Sequence, residues 1–289
     1  MNAKPDIPVT VPEWEQLGIE PDRVLRVFGM RRSGNHAIIN WLLRNSPNER
    51  SVFLNNCKPR VSPLSRFASI EVNLRRRNTE KALKNLPRVA AKAGEKAALV
   101  FSYEDCMPNE FGPGRPASGP FDERLIDADL ILYRGFLNWS ASLLRKMQRN
   151  PVMPALARAT TMLRSMETYG RLLDLVIARD ELELTCIEYD RWCTSEGYRA
   201  AVLETLDFAS RDNGTGEVQP YGGGSSFQPE ARTAGELASG SRMAQMADDP
   251  EYGLILGLCA QDDGFVEKLS QVFPEDAERL RAIARKVRG

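Results

Sequence analysis

The sequence predicts an α/β fold: a central parallel sheet flanked by helices. Three observations carry that prediction. Apolar stretches of strand length alternate with stretches of helical spacing, the pattern that builds parallel sheets. Two strand candidates, residues 97–103 (AALVFSY) and 128–133 (ADLILY), are near-continuous apolar runs, as strands buried on both faces are. Finally, Arg32, Asn55, Glu104, Arg134 and Tyr189 fall at or just past predicted strand C-termini, where such sheets hold their ligands.

The composition narrows the class. The chain has 289 residues, enough to bury a substantial core, and reads as a single domain. Lys plus Arg and Asp plus Glu both total 39. A chain without net charge lacks the basic field that nucleic acids or membrane surfaces require, so neither is expected as a partner. The 5 cysteines are scattered, with no C-x-x-C pair, and His36 is the only histidine. That disfavours a structural zinc site and suits reduced thiols. A Ser-His-Asp triad would have to recruit His36. The N-terminus lacks an apolar signal core, and no run of about 18 apolar residues occurs, so a cytoplasmic protein without membrane insertion is expected.

Residues 1–22 are Pro-rich and polar, an expected irregular arm with Trp14 and Leu17 tucked onto the body. Residues 24–28 alternate as a strand, and residues 37–43 have helical spacing. Residues 51–54 read as a second strand, with Asn55-Asn56-Cys57 at its end. Residues 58–97 are expected to be helical, interrupted by Pro87. There Arg75-Arg76-Arg77 is either a solvated helix face or the wall of an acidic acceptor pocket. After the 97–103 strand, residues 107–121 are loop by their Pro and Gly content. The 128–133 strand turns at Arg134-Gly135 into a helix over 136–147. A long amphipathic helix is predicted over 155–178, a strand over 182–189 and a helix over 198–208. Residues 209–250 are rich in Gly and Ser, and read as a linker or a mobile loop closing over a ligand. Helix resumes over 250–287.

The chemistry centres on Gly29-Met30-Arg31-Arg32-Ser33-Gly34-Asn35, between the first strand and the first helix. A helix N-terminus offers unpaired N–H groups and the positive end of the helix dipole. Glycines let the backbone approach a ligand, and the arginines can add charge-assisted hydrogen bonds. An ordinary βα turn with two solvated arginines is the plain alternative. The loop departs from a nucleotide-hydrolase P-loop, because Asn35-His36 follows Gly34 where that motif has Lys-[Ser/Thr]. An anion handled without a metal is therefore expected.

Arg32-Ser33-Gly34 and the pair Arg134/Ser142, each on a predicted strand–helix junction, resemble the two signatures of the PAPS-dependent sulfotransferases, which bind 3′-phosphoadenosine-5′-phosphosulfate (PAPS). Ser142 lies eight residues past Arg134, on the early turns of the next helix. The resemblance implies a P-loop-like sulfotransferase fold that moves a sulfuryl group from PAPS to a hydroxyl or amine and releases the 3′,5′-bisphosphate (PAP). It implies that Arg31, Arg32, Ser33, Gly34, Asn35 and His36 bind the 5′-phosphosulfate and that Arg134 and Ser142 hold the 3′-phosphate. Tyr189-Asp190 resembles the family's Tyr-acid pair near the adenine. Gly222, Gly223, Gly224, Ser225 and Ser226 resemble the loop over the 3′-phosphate, without its basic residues. The family usually has Lys where Arg32 stands, and Thr-Thr-Trp where this chain has Asn35-His36-Ala37. Trp41 and Trp139 read as core residues instead.

Arg32 is then the expected stabiliser of the leaving group, and Glu104 the expected base, with Asp105 second; a salt-bridged loop carboxylate is the alternative. His36 is expected to bind phosphate sooner than to act as base. Cys106 and Cys186 read as small apolar fillers. The acceptor, a small molecule or carbohydrate, and the oligomeric state are not legible. Two other readings stay open: a P-loop kinase relative using ATP and Mg²⁺, and a non-catalytic nucleotide-binding module.

Overall fold

The computed structural model describes residues 14–218, 226–228, 230–233 and 236–288. After a short helix α1 (Trp14–Leu17), the interior strand β1 (Arg23–Gly29), covered on both faces, leads through the loop into α2 (Asn35–Arg44). β2 (Ser51–Cys57) follows, then the strands β3 (Phe67–Val72) and β4 (Arg75–Arg77), and the short helices α3 (Thr79–Lys84) and α4 (Leu86–Ala90). β5 (Ala98–Glu104) and β6 (Ala128–Tyr133) are the two apolar runs. Helices α5 (Phe136–Gln148) and α6 (Ala155–Ile177) precede β7 (Thr185–Glu188), α7 (Tyr189–Thr194) and α8 (Glu196–Thr205). The chain ends in α9 (Arg242–Gln245), α10 (Pro250–Cys259), α11 (Asp263–Val272) and α12 (Pro274–Arg288).

The sheet runs β4-β3-β2-β5-β1-β6-β7. β2, β5, β1, β6 and β7 are parallel, so their C-terminal ends share one edge. One face packs on α2, α7 and α8 through Leu25, Val27, Val100 and Leu132. The other packs on α5, α6 and the C-terminal helices through Val24, Phe28, Leu99 and Ile131. Trp41 and Trp139 are fully buried, as core residues should be.

The expectation of helix over 58–97 is corrected. β3 pairs antiparallel with β2, and β4 with β3, so the sheet is mostly and not wholly parallel. The hairpin turns at Asn73 (φ 50°) and Leu74 (φ 60°). Two successive left-handed residues make the turn whose twist matches the flanking strands, and Asn is a favoured first residue. Burial of Ile70 and Val72 against α3 and α4, with ladder bonds to β2, outweighs the local helical composition. Arg75-Arg76-Arg77 is thus an edge strand, not a helix face.

Smaller corrections concern boundaries. β2 continues through Asn55-Asn56-Cys57. The predicted 182–189 strand is confined to Thr185–Glu188, and Tyr189 opens α7. Of the N-terminal arm, Leu17 is buried as expected. In the 209–250 region, Asn45 Oδ1 accepts from the backbone N–H groups of Arg211 (2.8 Å) and Asp212 (2.9 Å), strapping this part of the chain to the end of α2. All five cysteines are free thiols; Cys106 is buried and Cys186 half-buried. Among the described residues no helix is long and apolar enough to cross a membrane.

Candidate active site

The loop between β1 and α2 is built by residues on four elements. Asn35 Nδ2 donates back to the Met30 carbonyl at 3.1 Å, closing the loop on itself. A Cβ on Gly29 would lie 2.5 Å from Asn35 Oδ1, so only glycine fits there. Trp139 Nε1 on α5 donates to the Arg31 carbonyl at 3.0 Å. Asp105 accepts from the Arg31 backbone N–H at 2.9 Å and also from the Arg31 side chain. Asp105 therefore clamps the loop, and Arg31 is turned toward it. The Asn35 side chain likewise serves the loop's shape.

Arg32 adopts φ 73°, a left-handed conformation uncommon for a residue with a side chain. Gly34 follows in the same region (φ 84°) as the N-cap of α2. A Cβ at Gly34 would stand 2.1 Å from the Tyr189 ring, so the absence of a side chain lets this ring pack beneath the loop. Tyr189 is buried, stacks on Trp192 with ring centroids 6.0 Å apart, and lies under the Arg134 guanidinium at 5.0 Å.

The two helix N-termini at this edge differ in charge. At α5, Asp190 Oδ2 accepts from Gly135 N–H at 2.9 Å and Asp276 Oδ2 from Leu137 N–H at 3.0 Å. Carboxylates already satisfy that dipole end. At α2 no side chain caps the helix and the first turn has no acid. An anion is favoured at the second position, where the orphan N–H groups remain. The buried Ser33 Oγ there has no hydrogen-bond partner among the described residues.

Three guanidiniums converge on this point. Arg32 Nε reaches Ser142 Oγ at 3.3 Å, and Arg32 Nη2 reaches Ser226 Oγ at 3.2 Å. Arg242 Nη1, from α9, donates to the same Ser142 Oγ at 2.8 Å. Arg134 Nη1 lies 3.5 Å from the Arg32 carbonyl, its Nε pairs with Asp190 at 3.5 Å, and its own carbonyl accepts from Tyr169. Arg134 is 1% exposed and Arg242 5%. Burial, then repulsion from Arg134, lowers the pKa of Arg32, and the same causes push Arg242 down to about 9. Buried like charges are costly unless an opposite charge joins them. A phosphate or phosphosulfate supplies that charge, so the residues fit such a group.

Glu104 ends β5 beside Gly29, its register partner on β1. Burial, reinforced by Asp105, holds its carboxyl above the usual range, against the pull of Arg31, Asn35 and Arg32. His36 is half-buried on the first turn of α2; burial and the charges of Arg32 and Arg76 lower its pKa. It is therefore neutral near pH 7.

The structure thus brings together Arg32, Ser33, Gly34, His36, Arg134, Ser142, Tyr189, Ser226 and Glu104 at one edge of the sheet. Gly222, Gly223, Gly224 and Ser225 lie outside the described residues. Arg242 had no motif to announce it. It is one arginine in a Ser-, Gly- and Ala-rich stretch, and only the fold of α9 onto α5 carries it to Ser142. Among the described residues no group of three or more His, Cys, Asp or Glu side chains is arranged to hold a metal ion. Neither a protein-family model nor a curated protein matches the chain.

Proposed function

We propose that the protein is a PAPS-dependent sulfotransferase with a P-loop-like fold, acting on a hydroxyl acceptor. The observation that carries this reading is the meeting of Arg32 and Arg242 on Ser142 Oγ with Arg134 alongside, next to the uncapped N-terminus of α2. The loop suits one anionic group and the arginine cluster a second. A nucleotide with a 3′-phosphate as well as a 5′-phosphosulfate has both. ATP would call for the Lys-[Ser/Thr] step that Asn35-His36 replaces.

When bound, PAPS supplies the sulfuryl group: the acceptor oxygen forms the new S–O bond, the bond to the 5′-phosphate oxygen breaks, and its electron pair stays with PAP. The protein's part is alignment and charge stabilisation. Ser33, the α2 backbone N–H groups and His36 hold the 5′ end. Arg32, its backbone fixed in the left-handed region, stabilises charge on the leaving oxygen. Arg134, Ser142 and Arg242 hold the 3′-phosphate. Glu104, its carboxyl held above the usual carboxylate range by burial, takes the acceptor proton.

A thermal-shift comparison of PAP, ADP and ATP·Mg²⁺ tests the reading. PAP at a hundredfold excess over its Kd should stabilise by about 2.7 kcal/mol, and the other two by much less. Tight ATP·Mg²⁺ binding with no preference for a 3′-phosphate would favour a kinase relative. PAP binding without turnover on any acceptor would favour a non-catalytic module.

A further inference from the structure

One stretch concentrates positive charge that the cradle does not use. Residues 130–166 hold six Lys and Arg and no Asp or Glu, in a chain whose net charge is zero. Three of these cations stand together where α5 ends: Arg145 and Lys146 in its last turn, and Arg149 as its C-cap. They follow Ser142 by three, four and seven residues, so by helical spacing they share its face. All three are exposed, and none makes a side-chain hydrogen bond or ion pair among the described residues. The charge of Arg149 is felt at Arg32. The basic ridge therefore starts beside the cradle and runs outward along α5.

Beyond Arg149 the chain turns a corner into α6, and the tip of that corner is apolar. Val152 is 83% exposed and Leu156 79%, the two most exposed large apolar side chains among the described residues. The backbone holds the corner in place. Asn150 accepts from the Val152 N–H through Oδ1 at 3.3 Å and from the Met153 N–H through its carbonyl at 3.1 Å. Arg158 Nη1 donates to the Met153 carbonyl at 2.6 Å. Asp249 and Glu251 reach this end of α5, but Gln148 and Arg158 hold them, and they do not pair with the ridge.

A helix C-terminus favours basic residues on its own account. That explains the ridge but not the valine and leucine next to it. An acidic polymer would use the charge and leave the apolar tip idle. A second copy meeting this corner about a two-fold axis would cover the tip but set like charges against each other. A bilayer containing anionic lipids uses both features: its surface potential attracts Lys and Arg, and its interfacial layer takes up apolar side chains. No described helix is long and apolar enough to cross a membrane, so the contact is made from one side.

We propose that the α5–α6 corner docks the protein on an anionic lipid surface, with Val152 and Leu156 entering the interface and Arg145, Lys146 and Arg149 lying over the headgroups. The zero net charge that argues against a broad basic field leaves this local one intact. The two signals act together, since a single weak anchor gives only marginal, reversible attachment. Docking here brings the cradle close to the lipid surface. The proposal does not depend on which nucleotide the cradle takes.

The test measures co-sedimentation of the full chain with phosphatidylcholine vesicles, with and without about a third phosphatidylserine. The protein should bind the anionic vesicles about tenfold tighter or more, and added salt should weaken that binding. The triple variant Arg145→Gln, Lys146→Gln, Arg149→Gln and the double variant Val152→Ser, Leu156→Ser should each lose about tenfold or more. Arg145→Lys with Arg149→Lys should keep the binding, because the headgroups respond to charge. Leu83→Ser, at a surface leucine of α3 near the other end of the sheet, should keep it too. Unchanged midpoints in urea denaturation certify the fold of each variant. Equal binding to both vesicle types, no binding to either, or an equal loss in Leu83→Ser overturns the proposal. A loss confined to the triple variant also overturns it and assigns a soluble polyanion. Self-association of the lipid-free chain that the double variant abolishes overturns it in favour of a second copy. Failure to bind PAP would leave the docking standing, and failure to dock would leave the sulfotransferase reading standing.

Discussion

Arg242 Nη1 donates to Ser142 Oγ at 2.8 Å, joining residues 100 positions apart. Arg32 Nε approaches the same oxygen at 3.3 Å. The hydroxyl accepts from both, so its own proton is left to donate to an incoming oxygen. The contact makes Ser142 the hinge between the two halves of the cradle.

Arg242→Ala should weaken PAP about 10- to 100-fold, since hydrogen bonds to charged groups contribute about 1.5–3 kcal/mol. Arg134→Ala should act in the same direction. Both should affect adenosine-5′-phosphosulfate, which has no 3′-phosphate, far less. Calorimetric titration of the two ligands checks this, and equal losses would contradict the assigned roles.

Affinity for PAP should also depend on alkaline pH. With the Arg242 pKa pushed down to about 9, the free protein loses this charge as pH rises through that value. A bound phosphate favours the protonated form. Affinity should thus hold steady between pH 7 and 8 and fall by up to about tenfold per pH unit above pH 9. Arg242→Ala should flatten that fall. A wild-type affinity constant to pH 10.5 would show that the guanidinium keeps its charge or contributes nothing.

Gly34→Ala should damage both stability and binding. The new methyl would meet the Tyr189 ring at 2.1 Å, on a backbone at φ 84° that disfavours any side chain. We expect a loss of about 2 kcal/mol or more in thermal or urea denaturation, with PAP binding abolished. Gly240→Ala, where no heavy atom lies within 4 Å, is the matched control.

Glu104→Gln should reduce turnover at least 100-fold while leaving PAP affinity nearly unchanged, given what a general base contributes. A base must be ionised to work. Its raised pKa therefore moves the acid limb of kcat upward from the ordinary carboxylate range, with rate lost as pH falls through that raised value. Asp105→Asn should behave differently, loosening the Arg31 clamp and raising the Kd for PAP.

Glu71 offers a stability test away from the cradle. Its carboxyl is raised to about 7 from 4.5, so the folded state favours the protonated form. The favourable contribution is present below pH 4.5 and is lost as pH rises through about 7. Glu71→Gln should therefore stabilise at pH 8 by up to about 3 kcal/mol and change little at pH 4, since a tenfold change in proton affinity corresponds to about 1.4 kcal/mol. Urea denaturation at the two pH values reads the difference.

Much of this arrangement depends on neighbours along the chain, and that part was legible in the sequence. The apolar runs of β5 and β6 announce strands covered on both faces because such strands need no polar residues. Gly29, Gly34 and the arginines between them mark a tight, basic turn, since backbone freedom and fixed charge are properties of the residues themselves. The spacing of Arg134 and Ser142 needs only one strand end and the first turns of a helix.

Tertiary structure alone decided the rest. The β3–β4 hairpin exists because β2 and the helices beneath it reward an extended chain, which no count of Lys, Ala and Leu over 58–97 expresses. The roles of Asn35 and Asp105 as builders of the loop follow from Met30 and Arg31 being turned toward them. Arg242 is the clearest case: its position has no periodicity and no motif, and its depressed pKa and its bond to Ser142 arise from helices that meet across 100 residues of chain. Local patterns set the strands, the helices and the glycines and arginines of the loop between β1 and α2. Long-range packing set which guanidiniums lie buried beside that loop, because burial and electrostatic repulsion depend on distance in space.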